Sequence, residues 1–220
     1  MIEPDSYLYA YSITRDFGFA PNPFLGLCTL ATCKPGIRKG AKIGDWILGV
    51  GGSQLGSASK KAILLMKVTE KTNFQGYWDN PRYALKKSLR NGSPLRMLGD
   101  NIYHKDDAGN WIQEDSHHSN PDGTANIVNL TRDTGSTDSV LLSDFFLYFG
   151  NAAITVDLNS IGYHRIRNYK KIQLNNSDNA RDLIKSCVKR NRENLNVVIS
   201  DPCQFNISHK RVNQATGKLV

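Results

Sequence analysis

An α+β fold is what this sequence predicts: a mixed sheet or partly closed β-barrel of short strands, with a few flanking helices. Three observations carry that expectation. Short alternating or apolar runs bounded by glycine and proline recur along the chain, which is the pattern of strands and turns. Only one segment, late in the chain, shows clear helical periodicity. The 220 residues, 40% hydrophobic and 22% charged, suffice for a buried core and exclude wholesale disorder. Many strands with few helices argue against a doubly wound sheet.

Residues 7–14 alternate, with Tyr7, Tyr9, Tyr11 and Ile13 on one face of a strand and Leu8 and Ala10 on the other. Residues 16–25 form an aromatic loop, Phe17, Phe19 and Phe24 being set among Gly18, Pro21 and Pro23. A second strand over 27–34 stops at Pro35-Gly36, and residues 37–42 read as a cationic turn. Gly44-Asp45 turns into a short buried strand at 46–50, followed by a small-residue loop at 51–59. The strand expected over 61–69 places Ala62, Leu64, Met66 and Val68 together. A short helix over 74–85 breaks near Asn80-Pro81, and 91–99 is a loop. Residues 101–104 and 111–113 flank an acidic turn as a hairpin, and a polar loop at 116–123 holds His117 and His118. The most apolar segment, 139–149, reads as a strand entering buried structure. Asp178 is the expected cap of a helix with Ala180, Leu183, Ile184, Cys187 and Val188 on one face. A last strand is expected over 195–200, then a frayed polar tail from His209.

The chain carries 28 basic and 20 acidic residues, a net charge of +8. Residues 1–150 hold 16 against 15, whereas residues 151–220 hold 12 against 5. We therefore expect one domain over 1–160 and a basic extension over 161–220 packed on it. Its cluster of Arg165, Arg167, Lys170, Lys171, Arg181, Lys185, Lys189 and Arg190 can contact a phosphate backbone, or form a solvated helix face. The beginning Met1-Ile2-Glu3-Pro4-Asp5 lacks the pattern of a secretory signal, and no apolar run approaches the ~20 residues of a membrane span, so a cytoplasmic address and no membrane partner are expected. Cys28 and Cys33 differ by an odd number, which on one strand puts them on opposite faces; buried free thiols are expected, with no metal.

Phosphate-loop, dinucleotide, zinc-protease, serine-hydrolase and deaminase signatures are missing. Aromatic rings near loops can stack a base or pack in the core; Phe24 and Trp46, beside glycine- or proline-rich loops, are the preferred candidates for a pocket. Asn22, Thr29, Lys34, Asn101 and Tyr103 are candidates for reading a base edge or phosphate. The hairpin brings Asp100 toward Asp115, His117 and His118, a set suited to acid–base work or to locking the loop.

Six blocks in order, Phe19-Ala20-Pro21-Asn22-Pro23-Phe24, the run from Cys28 through Cys33-Lys34-Pro35, Gly44-Asp45-Trp46-Ile47, Tyr77-Trp78-Asp79-Asn80-Pro81-Arg82-Tyr83, Gly99-Asp100-Asn101-Ile102-Tyr103 and Ser116-His117-His118-Ser119, resemble the nucleotide-modification-associated domain family, the second of its numbered types. The resemblance spans residues 6 to about 160. That family takes its name from genes neighbouring DNA-base modification and phage-conflict systems. The resemblance implies handling of modified nucleic acid or nucleotides and supplies no defined reaction. The Gly-Asp-Trp turn at 44–46 also looks like one in PUA-like base-reading barrels.

The leading expectation is a module that binds a nucleotide or modified base in DNA modification or anti-phage conflict, with Phe24 and Trp46 stacking and the basic extension holding a backbone. The alternative is an enzyme acting on a nucleotide or nucleobase, with His117 or His118 as acid/base and Asp100 or Asp115 as orienting partner. A protein-interaction subunit of a modification or defence complex is a third. No cofactor is expected.

Overall fold

A computed structural model describes residues 2–164, 168–213, 216 and 218–220. Its strands are β1 (Tyr7–Ile13), β2 (Cys28–Leu30), β3 (Trp46–Gly51), β4 (Ala62–Lys67), β5 (Glu70–Asn73), β6 (Tyr103–Lys105), β7 (Trp111–Gln113), β8 (Ser139–Ser143), β9 (Phe146–Tyr148) and β10 (Tyr169–Gln173). The helices are α1 (Pro35–Gly40), α2 (Phe74–Asp79), α3 (Pro94–Met97), α4 (Ile127–Thr134) and α5 (Asp178–Arg190). The α+β class holds. Strands β10-β1-β3-β4-β9 form a mixed sheet, β2-β8-β5 a second sheet, and β6-β7 a hairpin; among the described residues none closes into a barrel. No helix among them is long and apolar enough to cross a membrane.

Strand β1 runs parallel to β3, so the chain crosses over between them through β2 and α1. This crossover sets the site, because it places the β2–α1 turn near the C-terminal end of β1. Alternation in β1 is as expected: Tyr9, Tyr11 and Ile13 pack toward the second sheet, and Leu8 and Ala10 pack under α5. The register of β3 on β4 jumps from Gly49↔Leu64 to Val50↔Ala62. This bulge puts both Ile63 and Leu64 in the inter-sheet core and turns Ala62 to the α5 side, away from the face expected for it. Gly49 leaves room for the Ile13 side chain, whose Cδ1 would lie 2.6 Å from a Cβ at that position and would have to shift.

The apolar run 139–149 splits between two sheets. Ser143 makes the corner, its hydroxyl donating to the Phe145 carbonyl (2.9 Å) and accepting from the Phe145 N–H (3.1 Å). Of the strand expected over 195–200, the structure keeps one bridge, Val198 to Tyr148. The turn expected at 37–42 is largely α1. Beyond residue 160 the chain joins the same sheet: β10 pairs with β1, and Ala180, Ile184, Cys187 and Val188 of α5 bury against Leu8, Trp46 and Leu48.

Ser177, not Asp178, caps α5, its hydroxyl accepting from Ala180 N at 3.3 Å. Ser177→Ala is expected to lower stability by about 1 kcal/mol, read as a shift of the urea midpoint at unchanged slope.

Candidate active site

The site is built on the turn after β2. Cys33 (φ 57°) and Lys34 (φ 40°) both lie in the left-handed region, a conformation costing about 1–2 kcal/mol per residue. Pro35 follows and disfavours a right-handed helical conformation at Lys34. Buried side chains hold the strained turn. Cys33 N donates to Asp133 Oδ1 (2.9 Å), and Arg38 Nε donates to the Cys33 carbonyl (2.8 Å). Arg38 is fully buried and also donates to the carbonyls of Ser139 (2.8 Å) and Asp133 (2.6 Å). It thereby ties the turn to β8 and α4.

His118 Nε2 lies 3.6 Å from Cys33 Sγ, and its Nδ1 lies 3.0 Å from Asp133 Oδ2. Besides His118, Asp133 accepts from Cys33 N, from Tyr103 OH (2.9 Å), and from Arg132 Nε and Nη2 (2.9 and 3.0 Å). The His118 carbonyl accepts from Asn129 Nδ2 (2.7 Å) and Gln113 Nε2 (3.3 Å), which fixes the loop against α4 and β7. Burial alone would raise the Cys33 thiol; His118 and Arg132 outweigh it and hold the thiol below its ordinary value. Burial would lower His118, but Cys33 and Asp133 raise it. Burial would likewise raise Asp133, and the His118 hydrogen bond and charge with Arg132 hold it far below the usual carboxylate range. Each group of the line thus favours the charged form of its neighbour: a thiol shifted down, an imidazole shifted up, and a carboxylate that orients the ring.

Above this line opens a cavity of about 210 Å³, walled by Phe17, Phe19, His117, Lys34 and Arg132 together with Tyr11 of β1. His117 packs against Phe17 and Phe19, with ring centroids 4.7 and 5.1 Å away. Burial, with the charge of His118, pushes its pKa down to about 3, so the ring is neutral at ordinary pH.

Cys33, His118 and Asp133 also place ligand atoms within 4.8 Å of one another, as a metal site would. The chemistry of the set fits a triad better. Asp133 already accepts from five donors, and Arg132 sits 2.9 Å from it, where it would repel a dication.

The expected site residues divide. His118, His117 and Lys34 border the cavity, and Tyr103 stands behind it through Asp133. Asp100 is instead buried against Thr29 Oγ1 (2.5 Å) and Tyr77 OH (2.9 Å). Asp115 meets Arg211 (2.8 Å) and Arg90 (3.3 Å) rather than a histidine. Asn22 accepts from Lys86 Nζ (2.7 Å), whose pKa burial lowers to about 8, and Asn101 donates to the Tyr77 carbonyl (2.7 Å). Asp100, Thr29, Asn22 and Asn101 thus belong to a buried polar network that holds loops together, and Asp115 to a separate, part-exposed ion pair.

Trp46 is fully buried under α5, and Phe24 is 6% exposed against Phe205, so neither offers a ring face for a base to stack on. Arg165 and Arg167 lie outside the described residues. Of the other expected backbone contacts, Lys170 donates to the Gly162 carbonyl (2.7 Å) and Lys171 lies 3.9 Å over the Tyr7 ring. Arg181 binds the Asn175 carbonyl (2.9 Å), and Arg190 is exposed. Lys185 and Lys189 border a second cleft of about 640 Å³ with Phe145, Val188 and Leu195.

Fold and site together define an α+β protein with a small cavity over a Cys–His–Asp line. The chain belongs to the nucleotide modification associated domain 2 family, whose model matches residues 5–209. The match includes all three residues of the line and continues past residue 160 through β10 and α5. No curated protein and no solved structure matches the chain.

Proposed function

We propose that this chain is a thiol-dependent enzyme of nucleotide modification, with Cys33 as nucleophile, His118 as general acid and base, and Asp133 as the group that orients His118. The observation carrying this reading is the line from Cys33 Sγ through both ring nitrogens of His118 to Asp133, at the floor of an aromatic-walled cavity. The family supports a nucleotide or nucleobase as substrate. A place beside DNA-modification or phage-conflict systems rests on the resemblance alone.

In this reading the thiolate forms a C–S bond to an electrophilic carbon of the substrate. The electron pair of the broken bond leaves on a nitrogen or oxygen, which takes the proton of His118 Nε2. Neutral His118 then takes a proton from water, whose oxygen attacks the same carbon. The C–S pair returns to sulfur, and the ion pair is restored.

The test is cysteine mapping by mass spectrometry after brief iodoacetamide treatment of the folded protein at pH 7. Burial pushes the thiols of Cys28, Cys187 and Cys203 up to about 12, 11 and 12, so Cys33 is expected to carry the label. His118→Gln should slow labelling about tenfold or more. An unreactive Cys33, or labelling indifferent to His118, overturns the assignment. The rings of Phe17 and Phe19 favour a second reading, recognition without turnover; it predicts that a nucleotide binds and is returned unchanged after long incubation.

A further inference from the structure

We propose that the cavity takes a free mononucleotide, its phosphate held by Lys34, rather than a base presented by a nucleic-acid strand. This rests on the reading above in placing the reacting carbon at Cys33. Arg15, Lys34 and Arg132 line the cavity, and no carboxylate does so among the described residues. Within the line, the charges of Cys33 and Asp133 are matched by His118 and Arg132. Lys34 adds a further cation to this wall, with Cys33 as the opposing charge that acts on it. Its ammonium makes no hydrogen bond or salt bridge among the described residues and lies 5.1 Å over the Tyr11 ring. Tyr11 adds a second observation: its buried hydroxyl has no hydrogen-bond partner, in a residue that forms part of the same wall. A half-buried cation and an unpaired donor in an acid-free wall suit an anionic oxygen group. Phe17, Phe19 and neutral His117 supply faces for a heterocycle.

One feature favours a monomer over a strand; the cavity, about 210 Å³ against the ~300–1,000 Å³ usual for ligand sites, excludes a run of nucleotides in either case. The basic surface of α5 lies behind the central sheet: its helix packs on the Leu8 and Ala10 face, whereas Tyr11 and Ile13 face the other way, toward the cavity. A backbone held on α5 therefore does not lead into the site.

The experiment is calorimetric titration of the full chain and of Lys34→Met with nucleoside 5′-monophosphates (ribo and deoxy), the matching nucleosides, inorganic phosphate and a single-stranded 12-mer. Protection of Cys33 from iodoacetamide is followed in parallel. At least one monophosphate is expected to bind about tenfold or more tighter than its nucleoside and to protect Cys33. Lys34→Met should reduce that preference to within about twofold, with nucleoside affinity and melting temperature unchanged. Equal binding of nucleoside and monophosphate, a preference that survives Lys34→Met, tighter binding and protection by the 12-mer, or no binding by any monophosphate overturns the proposal. Fast labelling of Cys33 without a phosphate preference would sink this inference alone. A phosphate preference without thiol reactivity would sink the enzymatic reading and leave the anion site standing.

Discussion

Asp133→Ala is expected to cost about 3–5 kcal/mol of folding stability and to abolish the special reactivity of Cys33. The side chain is completely buried and accepts from five donors on four residues. Removing it takes the carboxylate partner from Arg132 and from the His118 ring, and leaves Tyr103 OH without its acceptor. The Cys33 N–H, which holds a left-handed turn in place, is also orphaned. The His118 ring and the Tyr103 hydroxyl are buried groups stripped of a partner, the costly case, while Arg132 is one-third exposed. Asp133→Asn separates charge from shape. It keeps the volume and some acceptors but replaces the anion with a neutral amide, so it should fold with a smaller loss while iodoacetamide labelling at pH 7 slows about tenfold or more. Urea unfolding and labelling rates on the two variants measure both effects. An alanine variant within about 0.5 kcal/mol of the parent would show that the carboxylate does not organise the site.

Asp133 also shows where the sequence stopped being informative. The hairpin of β6 and β7 and the buried face of α5 were legible because local periodicity and turn chemistry declare them. Helix α4 was not, because its amphipathicity is inverted: Ile127 and Val128 are 65% and 60% exposed, whereas Asn129 and Asp133 are buried. Apolar periodicity cannot find a helix whose inner face is polar. The signal that could have found it is Asn129 and Asp133 at i and i+4, one helical face, after an Asn126 cap.

His118 was legible as a site histidine, but its partner was sought at Asp100 and Asp115, nearer in sequence, and the fold supplies one from α4. Cys33 was read as a strand thiol; β2 ends at Leu30, so parity along a strand does not govern where its side chain goes. Arg38 was read only as part of a cationic turn, since nothing local announces that the carbonyls of Ser139 and Asp133 join that of Cys33 around it. Trp46 shows the converse error: a ring beside a glycine turn opens β3's fully buried run.

The acid limb of the stability curve is expected to be set in large part by His117. Its ring is buried between Phe17 and Phe19 and is pushed down to about 3, by burial first and by the charge of His118 next. In the unfolded chain the ring titrates near 6.5. Below 6.5 the unfolded chain therefore takes up a proton that the folded chain refuses until about pH 3. The lowered value thus contributes stability that is whole above 6.5 and is lost as the pH falls, by up to about 1.4 kcal/mol per unit and on the order of 5 kcal/mol in all.

His118 runs the other way. Its raised value contributes fully below 6.5 and is lost as the pH climbs through the folded value, so it adds no slope on the acid side. Comparing the parent with His117→Gln and His117→Phe by urea unfolding at pH 6.5, 5.5 and 4.5 isolates the effect. Neither substitute titrates, so whatever packing each one loses is the same at every pH. The parent should lose about 2–3 kcal/mol more than either variant across that interval. Parallel curves would mean that His117 takes up its proton in the folded chain. A cation would then stand between two phenyl rings beside Lys34 and the His118 imidazolium, and the neutral aromatic wall above Cys33 would have to be abandoned.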